Sequence, residues 1–166
     1  MRMDSDLSGT VSISPMPDGE YSAHVVEVED SVSKAGNPMV TLTWQIDDGE
    51  FSGRRIRYDT VMTGGKTKEG RAMPLFLLCN FLDATGTAWE CLNCHNGEQG
   101  RHFYIGKGPN EDGLDYGQYV CPDCKAADFT YDTANFNGAR CVIKVGSRKN
   151  EGTDRVFNEI QGYTAF

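Results

Sequence analysis

Alternation of apolar and polar residues predicts β-strands in the first half of the chain. Every second residue from Val40 to Ile46 is apolar and the residues between them are polar, which is the two-residue period of a half-buried strand. The valine-rich and aromatic segment 21–29 predicts an earlier strand. Turn-forming residues occupy 31–38 and 47–49. We therefore expect the two strands to run antiparallel.

The same alternation predicts a third strand, and it places two arginines on the outer surface of the sheet. The predicted inner residues are Ile56, Tyr58 and Thr60, and the predicted outer residues are Arg55, Arg57 and Asp59. Three consecutive strands joined by short turns form an antiparallel meander.

The second half of the pattern adds a helix and two further strands. Apolar residues in 72–82 have helical spacing. Strand-type alternation returns in 140–145 and 155–160, on either side of a polar loop at 146–154. Five strands with one helix between the third and the fourth have the connectivity of an OB-fold. The predicted fold class is therefore mainly β, with a five-stranded OB-fold-like barrel.

Length and charge narrow the class of protein. The chain has 166 residues, enough for one ordinary domain with an insertion. Its net charge of −8 argues against coating nucleic acid through bulk charge, although a local basic strip is still compatible with it. No apolar run approaches the ~20 residues of a membrane span, and the irregular arm at 1–18 does not resemble a secretory signal. We expect a cytoplasmic protein.

Two Cys-x-x-Cys motifs predict a metal site. They are Cys91-Leu-Asn-Cys94 and Cys121-Pro-Asp-Cys124, a spacing typical of zinc ribbons. Four thiolates complete a tetrahedral shell and leave no position for water, which predicts one structural Zn²⁺. The alternatives are two disulfides or a redox-active pair, both of which a reducing cytoplasm disfavours. The predicted organisation is an OB-fold domain at 19–85 and 137–166 with a zinc-ribbon-like module inserted at 86–136.

The other residues with reactive side chains are predicted to be structural. Cys79 lies in the helical segment and Cys141 in a strand, where a free cysteine packs as a small apolar residue. Trp44 has the parity of the inner face. The three histidines, His24, His95 and His102, accompany no evident nucleophile, so we do not expect an enzyme.

Several short pieces of the sequence, in their order along the chain, carry a family resemblance. They are Gly19-Glu-Tyr21, Ser33-Lys34-Ala-Gly36-Asn-Pro38-Met39, Thr43-Trp44, Asp47-Asp48-Gly49, Gly53-Arg54-Arg55-Ile56 and Asn158-Glu159-Ile160-Gln-Gly162-Tyr163. Together they resemble phage-encoded single-stranded DNA-binding proteins with an OB-fold, long catalogued as a domain of unknown function. The resemblance covers about 19–83 and 137–164 and leaves out the cysteine module. It implies binding of single-stranded DNA with little sequence preference, in phage replication or recombination inside the host cytoplasm.

Single-strand binding requires cations for phosphates and flat side chains for bases. The candidate cations are Lys34, Arg55, Arg57, Lys144, Arg148 and Lys149, and the candidate stacking residues are Tyr21, Phe51, Phe157 and Tyr163. The alternative is that the cations only solvate an exposed face and the aromatic rings pack internally.

The role of the inserted module is open at this stage. It could extend the DNA path, bind a replication or recombination protein, or stabilise the barrel. The alternative function for the whole chain is a zinc-ribbon adaptor that recruits a replication or transcription protein. The sequence leaves the oligomeric state undetermined.

Overall fold

The computed structural model describes residues 1–4, 15–149, 151–152 and 155–166. The long strands are β1 (Gly19–Val32), β2 (Pro38–Ile46), β3 (Arg55–Met62), β8 (Arg140–Lys149) and β9 (Val156–Thr164). Helix α1 (Phe76–Thr85) follows β3. Between α1 and β8 lie four two-residue strands, β4 (Glu90–Cys91), β5 (Tyr104–Ile105), β6 (Tyr119–Val120) and β7 (Phe129–Thr130), and a short 3-10 helix at Thr133–Phe136.

The long strands form one antiparallel sheet in the order β3-β2-β1-β8-β9. This confirms a mainly β fold whose helix lies between the third and fourth long strands. Among the described residues no ladder joins β3 to β9, so the sheet is not a closed barrel. The two edge strands still meet, because the Tyr163 hydroxyl donates to Asp59 Oδ2 at 2.5 Å.

Element boundaries differ from the predictions at two places. Helix α1 begins at Phe76, later than predicted, because Pro74 disfavours helical backbone in the residue before it and residues 66 and 72 form a β-bridge. Strand β8 continues to Lys149, so the predicted loop at 146–154 starts as strand. Residues 150, 153 and 154 of that loop, and 5–14 of the predicted arm, lie outside the described residues.

A β-bulge in β3 reverses the predicted faces of residues 58–60, whereas Arg55, Ile56 and Arg57 keep the predicted faces. Leu42 pairs with Asp59 and Trp44 pairs with Ile56, so that Arg57 and Tyr58 together oppose one residue of β2. Beyond an extra residue, every following side chain changes face. The prediction that Tyr58 and Thr60 point inward and Asp59 outward is therefore wrong. Tyr58 is 81% exposed and Asp59 is 8% exposed.

The main core lies between the sheet and α1. Trp44 is fully buried and contacts Phe81 of the helix edge to face, with ring centroids 6.0 Å apart. Cys79 and Cys141 are also buried in this core, and burial raises the pKa of each thiol to about 12. The core positions predicted for these three residues are confirmed.

Buried residues of the insertion belong to the same continuous core. Trp89, Cys91, Phe103 and Cys121 join the apolar cluster that contains the sheet and helix residues. Polar contacts strengthen this junction, since the Phe103 backbone N–H donates to Asp83 of α1 at 3.0 Å. The boundaries predicted for the inserted module stay a prediction, but the core crosses them. No helix within the described ranges has the length and apolar character needed to span a membrane.

Candidate metal centre and nucleic-acid interface

Both Cys-x-x-Cys motifs fold into the same tight turn. The N–H of the residue after each motif, His95 or Lys125, donates to the carbonyl of the first cysteine. Both residues have positive φ, 58° and 63°, a backbone conformation that costs energy for a side chain other than glycine. Equivalent strain in both turns indicates that the turns are built to present their sulfurs. The spacing of the cysteines was visible in the sequence, whereas this matched strain was not.

The four sulfurs lie close enough to hold a metal ion. All Sγ atoms of Cys91, Cys94, Cys121 and Cys124 are within 4.8 Å of one another. Across the two turns, the Cys91–Cys124 and Cys94–Cys121 sulfurs are 3.5 Å and 3.8 Å apart. A regular tetrahedron with metal–sulfur bonds of ~2.3 Å has edges of ~3.8 Å, so the donor set fits a tetrahedral ion. The same separations exceed the ~2.05 Å of a disulfide bond.

Hydrogen bonds favour the thiolate form, which binds metal, at Cys121 and Cys124. At Cys94 a backbone hydrogen bond from Asn96 acts in the same direction, but burial and hydrogen bonds with the neighbouring cysteines outweigh it and raise the pKa of Cys94 to about 11. The Asn93 side chain and then the Ala126 backbone N–H lower the pKa of Cys124 to about 6. Burial acts to raise the pKa of Cys121, but hydrogen bonds from backbone N–H groups and from Arg101 outweigh it, and the net shift is downward. The site is asymmetric, because Cys91 and Cys121 are buried whereas Cys94 is exposed.

A second candidate site is a cleft of about 580 Å³ between the edge strands β3 and β9. Four arginines line it: Arg54, Arg55, Arg57 and Arg155. Two aromatic side chains also line the cleft, Tyr58 from β3, which is 81% exposed, and Phe157 from β9, which is 42% exposed. The structure thus brings the predicted Arg55, Arg57 and Phe157 together across an edge that the sequence did not reveal.

Sequence reasoning missed three residues of this cleft. Arg54 is adjacent to Arg55 in the sequence but is not among the predicted cations, and Arg155 directly precedes β9, which is distant from β3 in the sequence. Tyr58 was assigned to the inner face by alternation, and only the bulge turns it outward. No local signal in the sequence marks that bulge.

The remaining predicted cations are exposed but do not line the cleft. Arg148 and Lys149 lie on β8 opposite Phe157 and Val156, directly beside the cleft wall. Lys144 lies opposite Gly162, farther along β9, and Lys34 occupies the turn between β1 and β2. The structure therefore adds Arg148 and Lys149 to the surroundings of the cleft and places Lys34 and Lys144 elsewhere.

The other predicted stacking residues pack against the protein. Tyr21 contacts Phe51 edge to face at 6.0 Å and donates its hydroxyl to the Pro17 carbonyl at 2.6 Å. Tyr163 stacks on Trp44 at 5.7 Å and contacts Phe81 at 5.5 Å. The structure thus puts Tyr163 in the core instead of the cleft, because its hydroxyl serves the buried Asp59.

Asp59 is a buried carboxylate between the two edge strands. Its Oδ2 accepts hydrogen bonds from Trp44 Nε1 at 2.8 Å and from the Tyr163 hydroxyl at 2.5 Å. Burial raises its pKa, and these hydrogen bonds oppose that rise. The carboxylate therefore links β3 to β9 on the side opposite the exposed Tyr58 ring.

The comparison with known proteins gives one family assignment. No curated protein matches the chain. Residues 3–87 match the family described as "Protein of unknown function (DUF669)". This segment includes β1 to β3, α1 and the three arginines at the start of β3, but it ends before the first cysteine motif. Because the match covers more than half of the 166 residues, the chain belongs to the DUF669 family.

Proposed function

We propose that this protein binds single-stranded DNA, with little sequence preference, in the cleft between β3 and β9. The observation that carries the proposal is the convergence of four arginines and two exposed aromatic side chains on this cleft. Arginines neutralise backbone phosphates, and each base stacked on an aromatic ring contributes about 1–3 kcal/mol. The positive charge of the cleft is a local feature, because the chain as a whole has a net charge of −8.

The backbone at Tyr58 supports a binding role for its ring. Tyr58 has φ 65°, and an aromatic residue in this region is strained by about 1–2 kcal/mol. Bulges and strained residues of this kind are concentrated at binding sites, where they re-aim a side chain. Here the bulge points the Tyr58 ring into solvent beside Arg57. A base could stack on the ring in this position.

The arrangement of strands supports an OB-fold origin for the sheet. A helix separates β3 from β8, and the edge strands β3 and β9 meet through Asp59 and Tyr163. One side-chain hydrogen bond links the two edge strands that no ladder joins, as expected for a partly open barrel. Such barrels commonly bind single strands on an exposed face, and the resemblance to phage-encoded proteins adds a proposed role in phage replication or recombination.

We infer that the metal of the four-cysteine site is one structural Zn²⁺. Thiolate donors in a tetrahedral arrangement suit zinc, and a four-thiolate shell leaves no place for water or substrate. A bound Zn²⁺ would cross-link the two cysteine turns. Protein purified under reducing conditions should contain one zinc per chain, released by a mercurial reagent. Elemental analysis that found no metal would refute this.

Charge argues that the insertion does not extend the DNA path. Residues 86–136 contain eight acidic and three basic residues, a formal charge of −5 that would repel phosphates. Its buried residues are continuous with the main core, which favours a stabilising role. Exposed apolar side chains at Leu92, Ile105 and Tyr116 favour the alternative function, an adaptor for a replication or transcription protein.

The test is a fluorescence anisotropy titration with labelled oligothymidine at several salt concentrations. We expect micromolar or tighter binding at low salt and weaker binding to duplex DNA. Arg55 and Arg57 lie two residues apart in β3, about 6–7 Å, close to the spacing of phosphates in an extended strand. Replacing both by alanine should weaken binding and reduce the salt slope by about 0.7 per lost contact.

The matched control is the double variant Lys66→Ala and Lys68→Ala, which removes the same charge from an exposed loop outside the cleft and outside the cysteine turns. It should retain the wild-type salt slope, because neither lysine lines the cleft. Equal affinities and slopes for wild type and the arginine variant would remove these arginines from the site. An absence of any anisotropy change with wild type would refute DNA binding and favour the adaptor function.

A further inference from the structure

The guanidinium of Arg101 lies against the four-cysteine centre. Its side chain is only 8% exposed. One terminal nitrogen, Nη2, donates to Cys121 Sγ at 3.1 Å and to Asp123 Oδ2 at 2.7 Å. The other, Nη1, donates to the Asn96 carbonyl, which also accepts the N–H of Cys91. A single planar group therefore joins the two cysteine turns.

Aromatic packing holds the Arg101 guanidinium in place. The Arg101 guanidinium lies 4.6 Å from the centroid of the Trp89 ring. Trp89 in turn stacks on Phe103 at 4.1 Å with an interplanar angle of 7°, and the Phe103 N–H is bonded to Asp83 of helix α1. A surface arginine that was only solvated would not be held by a series of buried contacts leading to the main helix.

From this geometry we propose that Arg101 is a positioning residue of the metal centre. Its guanidinium fixes Cys121 and offsets the excess negative charge of four thiolates around a divalent ion. The inference rests on the metal binding proposed above and assigns a role to a residue outside the four-cysteine shell.

Charge at the centre explains why such a residue is needed. Four thiolates and one divalent ion carry a net charge of −2, and placing that charge beside a buried core is costly. Arginine is always charged and presents several donors in a rigid plane, so it can contact a sulfur and a carbonyl together. The nearby Asp123 carboxylate is 51% exposed and is therefore screened by solvent. Lysine would keep the charge but lose the two-sided contact.

The experiment measures metal affinity and the energy of the sulfur-to-metal charge-transfer band in the full-length protein. Wild type, Arg101→Gln and Arg101→Lys are loaded with Co²⁺ or Zn²⁺, and affinity is measured by competition with a chelator. The sulfur-to-Co²⁺ charge-transfer band is recorded for each. Arg140→Gln is the matched control, because Arg140 is 62% exposed and contacts Asp47 and the Phe166 ring instead of the four-cysteine centre.

We expect Arg101→Gln to weaken metal binding by about 10–100-fold, the usual effect of losing an outer-shell partner. Its charge-transfer band should move to lower energy, because the Cys121 sulfur loses a hydrogen bond. Arg101→Lys should give intermediate values, and Arg140→Gln should match wild type.

The outcomes separate the two proposals. If wild type binds neither ion, the metal site itself is refuted. If wild type binds metal but both Arg101 variants share its affinity and band, the role of Arg101 is overturned. Weaker binding with an unshifted band would show a purely structural role and would also overturn it. Should Arg101→Gln fail to fold, Arg101→Lys decides: a shifted band with faster metal loss supports the proposal, and wild-type values overturn it.

Discussion

Replacement of Phe103 by alanine tests whether the insertion and the sheet share one cooperative core. Phe103 is 7% exposed and contacts the rings of Trp89 at 4.1 Å and Phe129 at 5.0 Å. It belongs to the same buried cluster as Trp44 of the sheet. We expect Phe103→Ala to destabilise both regions equally, although the residue itself lies in the insertion.

The size of the effect follows from burial. Truncation of a buried phenylalanine to alanine costs about 3–5 kcal/mol, because it removes apolar contacts and leaves a cavity. With a urea dependence of about 2 kcal/mol per molar, the unfolding midpoint should fall by roughly 2 M. The matched control is Phe166→Ala. Phe166 is 71% exposed and contacts Arg140 at 5.5 Å, so its loss should cost less than about 1 kcal/mol.

The two tryptophans make the assay specific for each region. Trp44 is buried in the sheet and Trp89 in the insertion, so variants that retain one tryptophan report each region by fluorescence. Each single-tryptophan variant is measured with and without Phe103→Ala. This internal comparison is needed because the variant that loses Trp44, Trp44→Phe, also loses a hydrogen bond to Asp59. Equal midpoint shifts are expected. A shift at Trp89 with an unchanged midpoint at Trp44 would refute the shared core.

Three further predictions follow from the same contacts. Cys121→Ser should lower the stability of the whole chain in the same two-tryptophan assay. Loosening of 86–136 with an unchanged midpoint at Trp44 would instead indicate an independent module. Tyr58→Gly should change stability by less than about 1 kcal/mol, because glycine adopts φ 65° without strain. Oligothymidine binding should nevertheless weaken by about 1–3 kcal/mol in the anisotropy assay, and unchanged binding would remove the ring from the site. Asp59→Asn should alter the pH dependence of urea unfolding. Because burial raises the native pKa of Asp59, the stability that this group contributes is complete below its unfolded pKa of about 3.9 and is lost as pH rises through the native value. Wild type should therefore lose stability relative to Asp59→Asn over that interval, and parallel pH profiles would contradict this assignment.

The sequence by itself determined the features that depend on local spacing. Alternation located the five long strands, since a two-residue period arises wherever one face of a strand is buried. The spacing within each Cys-x-x-Cys motif identified the four sulfurs that lie together, because two intervening residues suffice for one tight turn. Apolar surroundings also placed Cys79, Cys141 and Trp44 in the core.

Only the tertiary structure decided how distant segments meet. The bulge at Arg57 and Tyr58 is a mismatch between two strands, so neither strand shows it alone, and it exchanges the faces of Tyr58 and Asp59. The cleft requires Arg155 of one edge to face the arginines of the other, a contact about 100 residues apart in the sequence that no local period encodes. Arg101 likewise reaches Cys121 across the insertion and is held by Trp89. Such positions are fixed by packing and charge between elements that are distant in the sequence, so local spacing does not encode them.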